Sequence, residues 1–325
     1  MRIAIIGKRG AGKTTIFNAL TGAGASLGKR EEHIKEVRVP DERLIKLLEF
    51  NPGTEPVFST ITFIDTKELN FREETIRNAD AYLLVVGNFM GNVKVEEEVR
   101  EVEEEMMISD LDVVEKRLSK LRKEHHKDQE RLLEEKILER FKGLLDEGKP
   151  LRGIELDKRE EELIRGYAFS SLKPLFVVVN EKEGEKGEYN LNLPVLSIQG
   201  KLEMEISELP EEERPLFLKE MGIEEPAVDR LIKEVYRTCG LITFFTLGKK
   251  ETRAWSIKKG TTAKEAAGKI HTDMERGFIR AQVINFEDLV RAGSMKHARE
   301  MGLLRLEGKD YVVQDGDVVE IRFSV

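Results

Sequence analysis

The sequence has 325 residues, of which 62 are Asp or Glu and 54 are Lys or Arg, so its formal net charge is -8. This length suggests two or three domains of roughly 100–200 residues each, and the acidic balance argues against a protein that coats nucleic acid generically. A single cysteine, Cys239, excludes an internal disulfide and any cluster of cysteine metal ligands within one chain. The apolar runs are strand-sized and the N-terminal stretch lacks the pattern of a signal peptide. We therefore expect a soluble, cytoplasmic protein.

The first elements alternate between strands and helices. A buried strand at residues 3–6 is followed by a glycine-rich turn and a helical pattern over residues 14–20. Further strand-sized apolar runs cover residues 60–64, 81–86, 175–179 and 194–198. Strands that alternate with helices indicate an α/β fold with a parallel sheet covered on both faces.

The turn after the first strand fits the Walker A phosphate-loop pattern, which begins at Gly7. Main-chain N–H groups of such a loop surround phosphate oxygens, and the following helix adds partial positive charge. We expect Lys13 to bridge the outer phosphates and the Thr14 hydroxyl to bind Mg²⁺. The predicted nucleotide contacts are Lys8, Arg9, Gly10, Ala11, Gly12, Lys13, Thr14 and Thr15. A glycine-rich turn without a ligand is the alternative.

Two further candidates lie at the ends of predicted strands. Asp65 follows the strand at residues 60–64, where an acid would help to hold Mg²⁺. Asn180 follows the strand at residues 175–179, at the place of the guanine-reading Asn-Lys-x-Asp of P-loop GTPases. Here Glu181 and Glu183 replace the lysine and the aspartate, which weakens the case for strict use of GTP. Asn180 and Glu183 are candidate nucleotide contacts, although a loop asparagine also serves as a turn residue.

Residues 92–165 interrupt the alternation and are rich in Glu, Lys and Arg. Apolar residues recur at steps of three and four over residues 111–121, lapse at residues 124–128 and resume over residues 132–141. This pattern predicts two antiparallel helices that project as an arm, with a tip near His125 and His126. A pair of surface helices packed flat is the alternative. A metal site at the two histidines is not favoured because adjacent helical residues point in different directions.

The last 85 residues have the pattern of a small α+β domain. A strand at residues 253–257 precedes a helix that begins after an N-cap at Thr262, and residues 311–313 and 318–321 flank an Asp-Gly turn that predicts a hairpin. Lysines and arginines cluster near Trp255 and Phe278, which would suit RNA phosphates and stacked bases. Alternatively, the two aromatic residues belong to the core and the basic residues solvate its rim.

Several segments together match the pattern of one family. They are residues 16–21, Pro40 to Leu44, Lys173-Pro174 with Asn180 and Glu183, residues 201–205, Arg253 to Trp255, residues 266–273 and residues 277–282. In these segments the sequence resembles the YchF/Obg-like ATPases, over most of its length. The resemblance implies a P-loop nucleotide-binding domain at residues 1–91 and 166–240, interrupted by a helical hairpin at residues 92–165. It also implies a C-terminal TGS domain, a ubiquitin-like β-grasp module, at residues 241–325.

The sequence departs from the family pattern where family members respond to the γ-phosphate. Residues 22–39 contain no threonine, and the segment Asp65-Thr66-Lys67-Glu68 lacks the glycine of the family's Asp-x-x-Gly. Leu69 matches the hydrophobic residue that replaces the catalytic glutamine in this family. The resemblance thus assigns catalysis to Lys13 and Leu69, but no residue is identified that would position the attacking water.

The leading hypothesis is a slow ATPase that binds ATP, or GTP less well, together with Mg²⁺. The resemblance implies that it associates with ribosomes or related RNA–protein assemblies as a translation-linked regulator, with possible RNA contacts through the hairpin and the TGS domain. No membrane or DNA partner is expected. One alternative is a non-hydrolysing nucleotide-binding adaptor. Another is a P-loop kinase, which would need an arginine-bearing lid that the hairpin does not resemble.

Overall fold

The computed structural model describes residues 1–22, 33–89, 91, 93–124, 128–210 and 212–324. The chain divides into two compact units, of which the first contains Met1–Glu36 and Thr62–Val228 and the second contains Val37–Ile61 and Asp229–Val325. Residues 37–61, which lie between the phosphate loop and Asp65 in the sequence, therefore group with the C-terminal residues. The division into three domains at residues 1–91 with 166–240, 92–165 and 241–325 stays a prediction.

The helices and strands have the following bounds. The strands are β1 (Arg2–Ile6), β2 (Ile34–Arg38), β3 (Glu55–Val57), β4 (Thr60–Asp65), β5 (Ala81–Gly87), β6 (Leu175–Asn180), β7 (Val195–Ile198), β8 (Leu241–Leu247), β9 (Glu251–Lys258), β10 (Phe278–Asn285), β11 (Arg305–Glu307) and β12 (Asp317–Phe323). The α-helices are α1 (Lys13–Thr21), α2 (Glu42–Leu47), α3 (Glu74–Arg77), α4 (Val95–Leu121), α5 (Gln129–Asp146), α6 (Lys158–Ile164), α7 (Gly200–Glu208), α8 (Arg214–Glu220), α9 (Ala227–Thr238), α10 (Ala263–Ile270), α11 (Thr272–Arg276), α12 (Phe286–Ala292) and α13 (Met295–Glu300). Short 3-10 helices cover Leu48–Phe50 and Arg165–Tyr167.

The first sheet has the strand order β2-β4-β1-β5-β6-β7. The pairs β1–β4, β1–β5, β5–β6 and β6–β7 are parallel, which confirms the predicted α/β fold. The central strands are buried along almost their whole length, as expected for a sheet covered on both faces. Register places Ile5 beside Asp65 and Gly87 beside Asn180, so the carboxyl ends of the strands bring the predicted site residues to one edge.

The segment predicted as a helical arm contains two long helices. The first half of α4 packs on the first sheet through Val95, Val99, Val102 and Met106, and its second half packs with α5 in a separate apolar cluster. Ion pairs of Glu115 with Lys142 and of Glu124 with Arg131 show that the two helices are antiparallel. The predicted tip at His125 and His126 lies outside the described residues. No described helix is both long enough and apolar enough to cross a membrane.

The second sheet has the strand order β11-β10-β12-β8-β9-β3. Its neighbours β12 and β8 are parallel, as are β3 and β9, while β8–β9, β10–β12 and β10–β11 are antiparallel. Helix α10 packs on one face, and α2 and α12 pack on the other. Thr262 caps α10, and Glu265 completes a capping box, which confirms the predicted start of this helix.

The predicted hairpin around residue 315 is wrong. Strand β12 pairs with β10 and β8, whereas Val312 forms an isolated antiparallel bridge to Thr262. The buried carboxylate of Asp317 holds the turn, because it accepts hydrogen bonds from the Gln314 N–H at 2.9 Å and the Tyr311 hydroxyl at 2.8 Å. The Asp-Gly signal thus located the turn correctly, but distant strands provide the pairing partners of β12.

Candidate nucleotide-binding site

A cavity of about 330 Å³ lies at the carboxyl edge of the first sheet. It is lined by Arg9, Gly10, Gly12, Lys13, Thr14, Thr15, His33, Asp65, Thr66 and Lys67. The structure therefore brings most of the predicted phosphate-loop residues together with Asp65. His33 was not predicted from the sequence, because a lone histidine outside any pattern carries no signal.

Two positions of the loop require glycine, because other atoms lie too close for a side chain. A Cβ atom on Gly7 would lie 2.3 Å from the carbonyl oxygen of Val85, and a Cβ atom on Gly12 would lie 2.2 Å from Asn180 Nδ2. Gly12 also has a φ of 90° at the N-cap of α1, a conformation that glycine adopts without strain. The loop is therefore packed closely against β5 and Asn180 and enters α1 through a left-handed residue.

The ammonium group of Lys13 is turned back into the loop. Its Nζ atom donates hydrogen bonds to the carbonyl oxygens of Gly7 at 3.0 Å and Lys8 at 3.1 Å. Burial lowers the pKa of Lys13, and the charge of Asp65 opposes this shift. Because carbonyl oxygens solvate this charge without neutralising it, the site favours an anionic ligand.

Thr14, Asp65 and His33 form a hydrogen-bonded group in the same cavity. Thr14 Oγ1 donates to Asp65 Oδ2 at 2.8 Å, and His33 Nδ1 lies 3.3 Å from that oxygen. Asp65 Oδ1 is buried and has no hydrogen-bond partner among the described residues. A hydroxyl and a carboxylate with a free oxygen are hard donors, so Thr14 and Asp65 have the chemistry that Mg²⁺ prefers.

Asn180 is buried and joins the phosphate loop to the strand β7–helix α7 connection. Its Nδ2 atom donates to the Ala11 carbonyl at 3.3 Å, and its Oδ1 atom accepts from the Gly200 N–H at 3.0 Å. Glu183 is exposed on the loop after β6, and neither residue lines the cavity around the phosphate loop. Both stay predicted nucleotide contacts, and Asn180 also has a scaffolding role.

Glu181 lies where P-loop GTPases have a lysine, but it points into the protein. Its buried carboxylate accepts hydrogen bonds from Asn88 Nδ2 at 3.1 Å, from the Tyr189 hydroxyl and from Ser197 Oγ at 3.4 Å. Burial, together with the Glu181 carboxylate, raises the pKa of Tyr189 to about 12. This network ties together the ends of β5, β6 and β7, and it was not predicted because its members are far apart in the sequence.

Phe89 is a second residue that the sequence did not single out. Its side chain is 39% exposed, and its ring lies beside the loop: Cβ atoms built on Gly87 and Gly12 would be 2.9 Å and 3.9 Å from Phe89 Cε1. A partly exposed aromatic ring next to a phosphate loop offers a stacking surface for a planar ligand group.

The other predicted residues are placed as follows. Lys8 directs its side chain to α4, where its Nζ atom lies 2.7 Å from Glu101 Oε2 and 3.7 Å from Glu98 Oε2. Leu69 is partly buried against the apolar cluster of the first sheet and does not line the cavity, so its part in catalysis stays a prediction. The described residues contain no cluster of three or more His, Cys, Asp or Glu that would hold a metal.

Trp255 and Phe278 are partly buried against the core of the C-terminal unit. Trp255 stacks on Phe244 with ring centroids 6.3 Å apart, and its Nε1 atom donates to Thr246 Oγ1 at 3.0 Å. Phe278 and Trp255 both pack against the cluster under α10. Arg253 lies over the Trp255 ring at 4.9 Å, which favours the alternative that basic residues solvate the rim of an aromatic core.

Comparisons with known proteins agree with this geometry. A family model described as 50S ribosome-binding GTPase matches residues 2–117, and the YchF-type GTPase C-terminal model, described as a protein of unknown function (DUF933), matches residues 241–324. The chain is similar in fold to the Schizosaccharomyces pombe YchF GTPase, with a TM-score of 0.83 and 24% identity over 99% of this chain and 97% of that one.

Curated relatives match over nearly the full length. The ribosome-binding ATPase YchF of Bacillus subtilis is 37% identical and the one of Haemophilus ducreyi is 36% identical, with 99% and 100% of this chain and 98% and 99% of those proteins covered. The ribosome-binding ATPase YchF of Escherichia coli O157:H7 is 35% identical over 100% of this chain and 99% of its own length. With identities of this size over whole chains, and with the phosphate loop in place, the chain belongs to the YchF family.

Proposed function

We propose that the protein is an ATPase that associates with ribosomes. The observation that carries this proposal is the loop from Gly7 to Thr14, in which Lys13 offers a buried ammonium group to an anion beside the Thr14–Asp65 pair. The relatives named as ribosome-binding ATPases support it. A cytoplasmic location and a C-terminal TGS domain at residues 241–325 are part of the same proposal.

The cavity would receive the phosphates, and different residues around it would bind the phosphates, the Mg²⁺ ion and the base. The loop N–H groups and Lys13 would bind the outer phosphates. Thr14 and Asp65 would hold Mg²⁺, which supplies charge neutralisation at the phosphates when it is bound. Asn180 and the Glu181 network would keep the base-binding edge fixed, and Phe89 would stack on the purine. Since Glu183 replaces the guanine-reading aspartate, we propose a preference for ATP over GTP.

Nucleotide choice can be tested by calorimetry of the whole protein with ATP and GTP in the presence of Mg²⁺. We expect ATP to bind more tightly, and Lys13→Ala to remove binding of both nucleotides. Lys46→Ala is the matched control, because Lys46 is half-exposed, pairs with Glu49 and does not line the cavity. A clear preference for GTP would overturn the adenine assignment, and unchanged binding by Lys13→Ala would overturn the site.

A second candidate function is a non-hydrolysing adaptor in which nucleotide is a structural ligand. The segment Asp65-Thr66-Lys67-Glu68 favours it, because Glu68 replaces the glycine whose main-chain N–H would sense the γ-phosphate. Single-turnover phosphate release with and without ribosomes discriminates the two. Release above that of Lys13→Ala supports the ATPase, whereas release equal to it in both conditions supports the adaptor. Cosedimentation with ribosomes in ATP, in ADP and without nucleotide tests the association itself.

A further inference from the structure

An ion pair ties the phosphate loop to the part of helix α4 that packs on the first sheet. Lys8 Nζ lies 2.7 Å from Glu101 Oε2 and 3.7 Å from Glu98 Oε2. The two glutamates are three residues apart in the first two turns of α4, so their carboxylates share one face of the helix. Lys8 is half-exposed, with 49% of its side chain accessible, and therefore stays available to a ligand in solution.

The same residue also contacts the phosphate-binding lysine. The carbonyl oxygen of Lys8 accepts a hydrogen bond from Lys13 Nζ at 3.1 Å and one from the Ala11 N–H at 3.3 Å. A single residue thus links three groups: the Lys13 ammonium and the loop through its main chain, and α4 through its side chain. A change in the position of Lys8 would therefore alter contacts both in the loop and at the start of α4.

Glu98, the second partner of Lys8, is largely buried. Its side chain is only 12% exposed, and its Oε1 atom is buried without a hydrogen-bond partner among the described residues. A partly buried carboxylate depends strongly on a nearby cation. If Lys8 moved towards a phosphate, Glu98 would lose the charge that compensates its burial, and the start of α4 would be destabilised relative to the sheet.

On this basis we infer that Glu98 and Glu101 compete with nucleotide phosphates for Lys8, so that nucleotide binding and the anchoring of the start of α4 oppose each other. The inference rests on the proposed nucleotide binding. Linkage is reciprocal. Nucleotide binding would weaken the pairing of Lys8 with the two glutamates, and this pairing would lower the nucleotide affinity by the same free energy. Helix α4 is continuous over 27 residues, or about 40 Å, so a small change at its base would become a larger displacement at its far end.

The test is a double-mutant cycle of ATP affinity, measured by calorimetry with Mg²⁺. Glu98→Gln with Glu101→Gln should bind ATP about threefold to fivefold more tightly than the parent, the size expected for a partly exposed ion pair. In a Lys8→Met background the same two changes should have no effect. Glu97→Gln with Glu104→Gln is the matched control, because it also removes two charges, from exposed residues of α4 that pair with Lys94 and Arg100.

Hydrogen exchange at residues 95–105 provides the second measurement. ATP should speed exchange there in the parent and leave it unchanged in Lys8→Met, and thermal unfolding of each variant shows that it is folded. Equal or weaker ATP binding by the Gln variant, or the same gain in the Lys8→Met background, would overturn the competition. Absence of ATP binding by the parent protein would instead remove the proposed function, and the two failures are thus distinct.

Discussion

Arg43 and Asp315 lie 272 residues apart in the sequence, and their side chains form an ion pair with Nη1 and Oδ2 at 2.7 Å. Arg43 also binds Asp41 through two nitrogens and lies over the Phe245 ring at 5.3 Å. Asp315 in turn accepts a hydrogen bond from the Thr243 N–H at 2.8 Å. The Pro40-to-Leu44 segment is therefore fixed to the second sheet by charge, stacking and main-chain contacts together.

Removing this pair should destabilise the C-terminal unit. Arg43→Ala and Asp315→Ala, alone and combined, should show a coupling free energy of about 1 kcal/mol, since both side chains are partly exposed. The measurement is urea unfolding followed by the fluorescence of Trp255. The cycle of Arg237→Ala with Glu234→Ala serves as the control, because Arg237 is far more exposed than Arg43. Additive effects of Arg43→Ala and Asp315→Ala would contradict the assigned role.

Replacing Asn180 should destabilise the fold around the phosphate loop. Asn180→Ala would leave the Ala11 carbonyl and the Gly200 N–H without their present partner in a buried place, at a cost of about 1–3 kcal/mol in the free energy of unfolding. Urea unfolding measures this cost. Asn190→Ala, which changes an exposed asparagine, should have little effect. An unchanged midpoint for Asn180→Ala would show that Asn180 does not support the loop.

Phe89 should contribute to affinity through the base and not through the phosphates. Phe89→Ala should weaken ATP binding about fivefold to 150-fold, which corresponds to stacking of about 1–3 kcal/mol, while Phe89→Tyr should keep most of the affinity. Calorimetry with ATP and with inorganic tripolyphosphate separates the two terms, because the latter carries no base. Phe323→Ala, at an exposed aromatic residue of the second sheet, is the control. Equal losses for both ligands would rule out stacking.

Lys173 should give the protein a measurable pH dependence. Burial lowers the pKa of Lys173 to about 8, and its Nζ atom contacts the Arg77 carbonyl and the Tyr82 hydroxyl. Because the unfolded chain keeps the ordinary value of about 10.4, it binds more protons between these values, and stability rises with pH in that window. We expect a gain of about 1–2 kcal/mol between about pH 8 and about pH 9.5.

Lys173→Met should flatten this rise and should stabilise the protein near neutral pH, where the buried charge is costly. Urea unfolding at several pH values measures both effects. Lys201→Met replaces an exposed lysine and should leave the slope as it is. The measurements are made below about pH 10. Burial raises the pKa of Tyr82 to about 12, and a tyrosine with a raised pKa makes the free energy of unfolding fall with pH above that limit. A variant of Lys173 with the parental slope would refute the assignment.

Local sequence signals predicted the phosphate loop and its surroundings well. The Walker A pattern, the flanking strand and helix, and Asp65 at a strand end all depend on neighbours in the sequence, and the structure brings Lys13, Thr14 and Asp65 to one cavity. The capping box at Thr262 is a signal of the same local kind. Each of these features depends on a few neighbouring residues, so it can be predicted from a short stretch of the sequence.

Features that depend on distant partners were missed. Strand β3 pairs with β9 across about two hundred residues, and nothing in residues 55–57 indicates that partner. Glu181 appeared to be a degenerate base-reading residue, but its hydrogen bonds come from Asn88, Tyr189 and Ser197. The hairpin prediction failed for the same reason, since the turn signal is local and the strand pairing of β12 is not.

Because residues 37–61 pack with residues 229–325, the chain cannot complete its folding in the order of its synthesis. Leu44 and Leu47 are fully buried in a cluster whose other members include Phe245, Ile284 and Leu289. These two leucines emerge early during translation, whereas the residues that cover them are made last. A chain shortened before residue 229 would leave them uncovered, so separate expression of the N-terminal part should give an aggregating product.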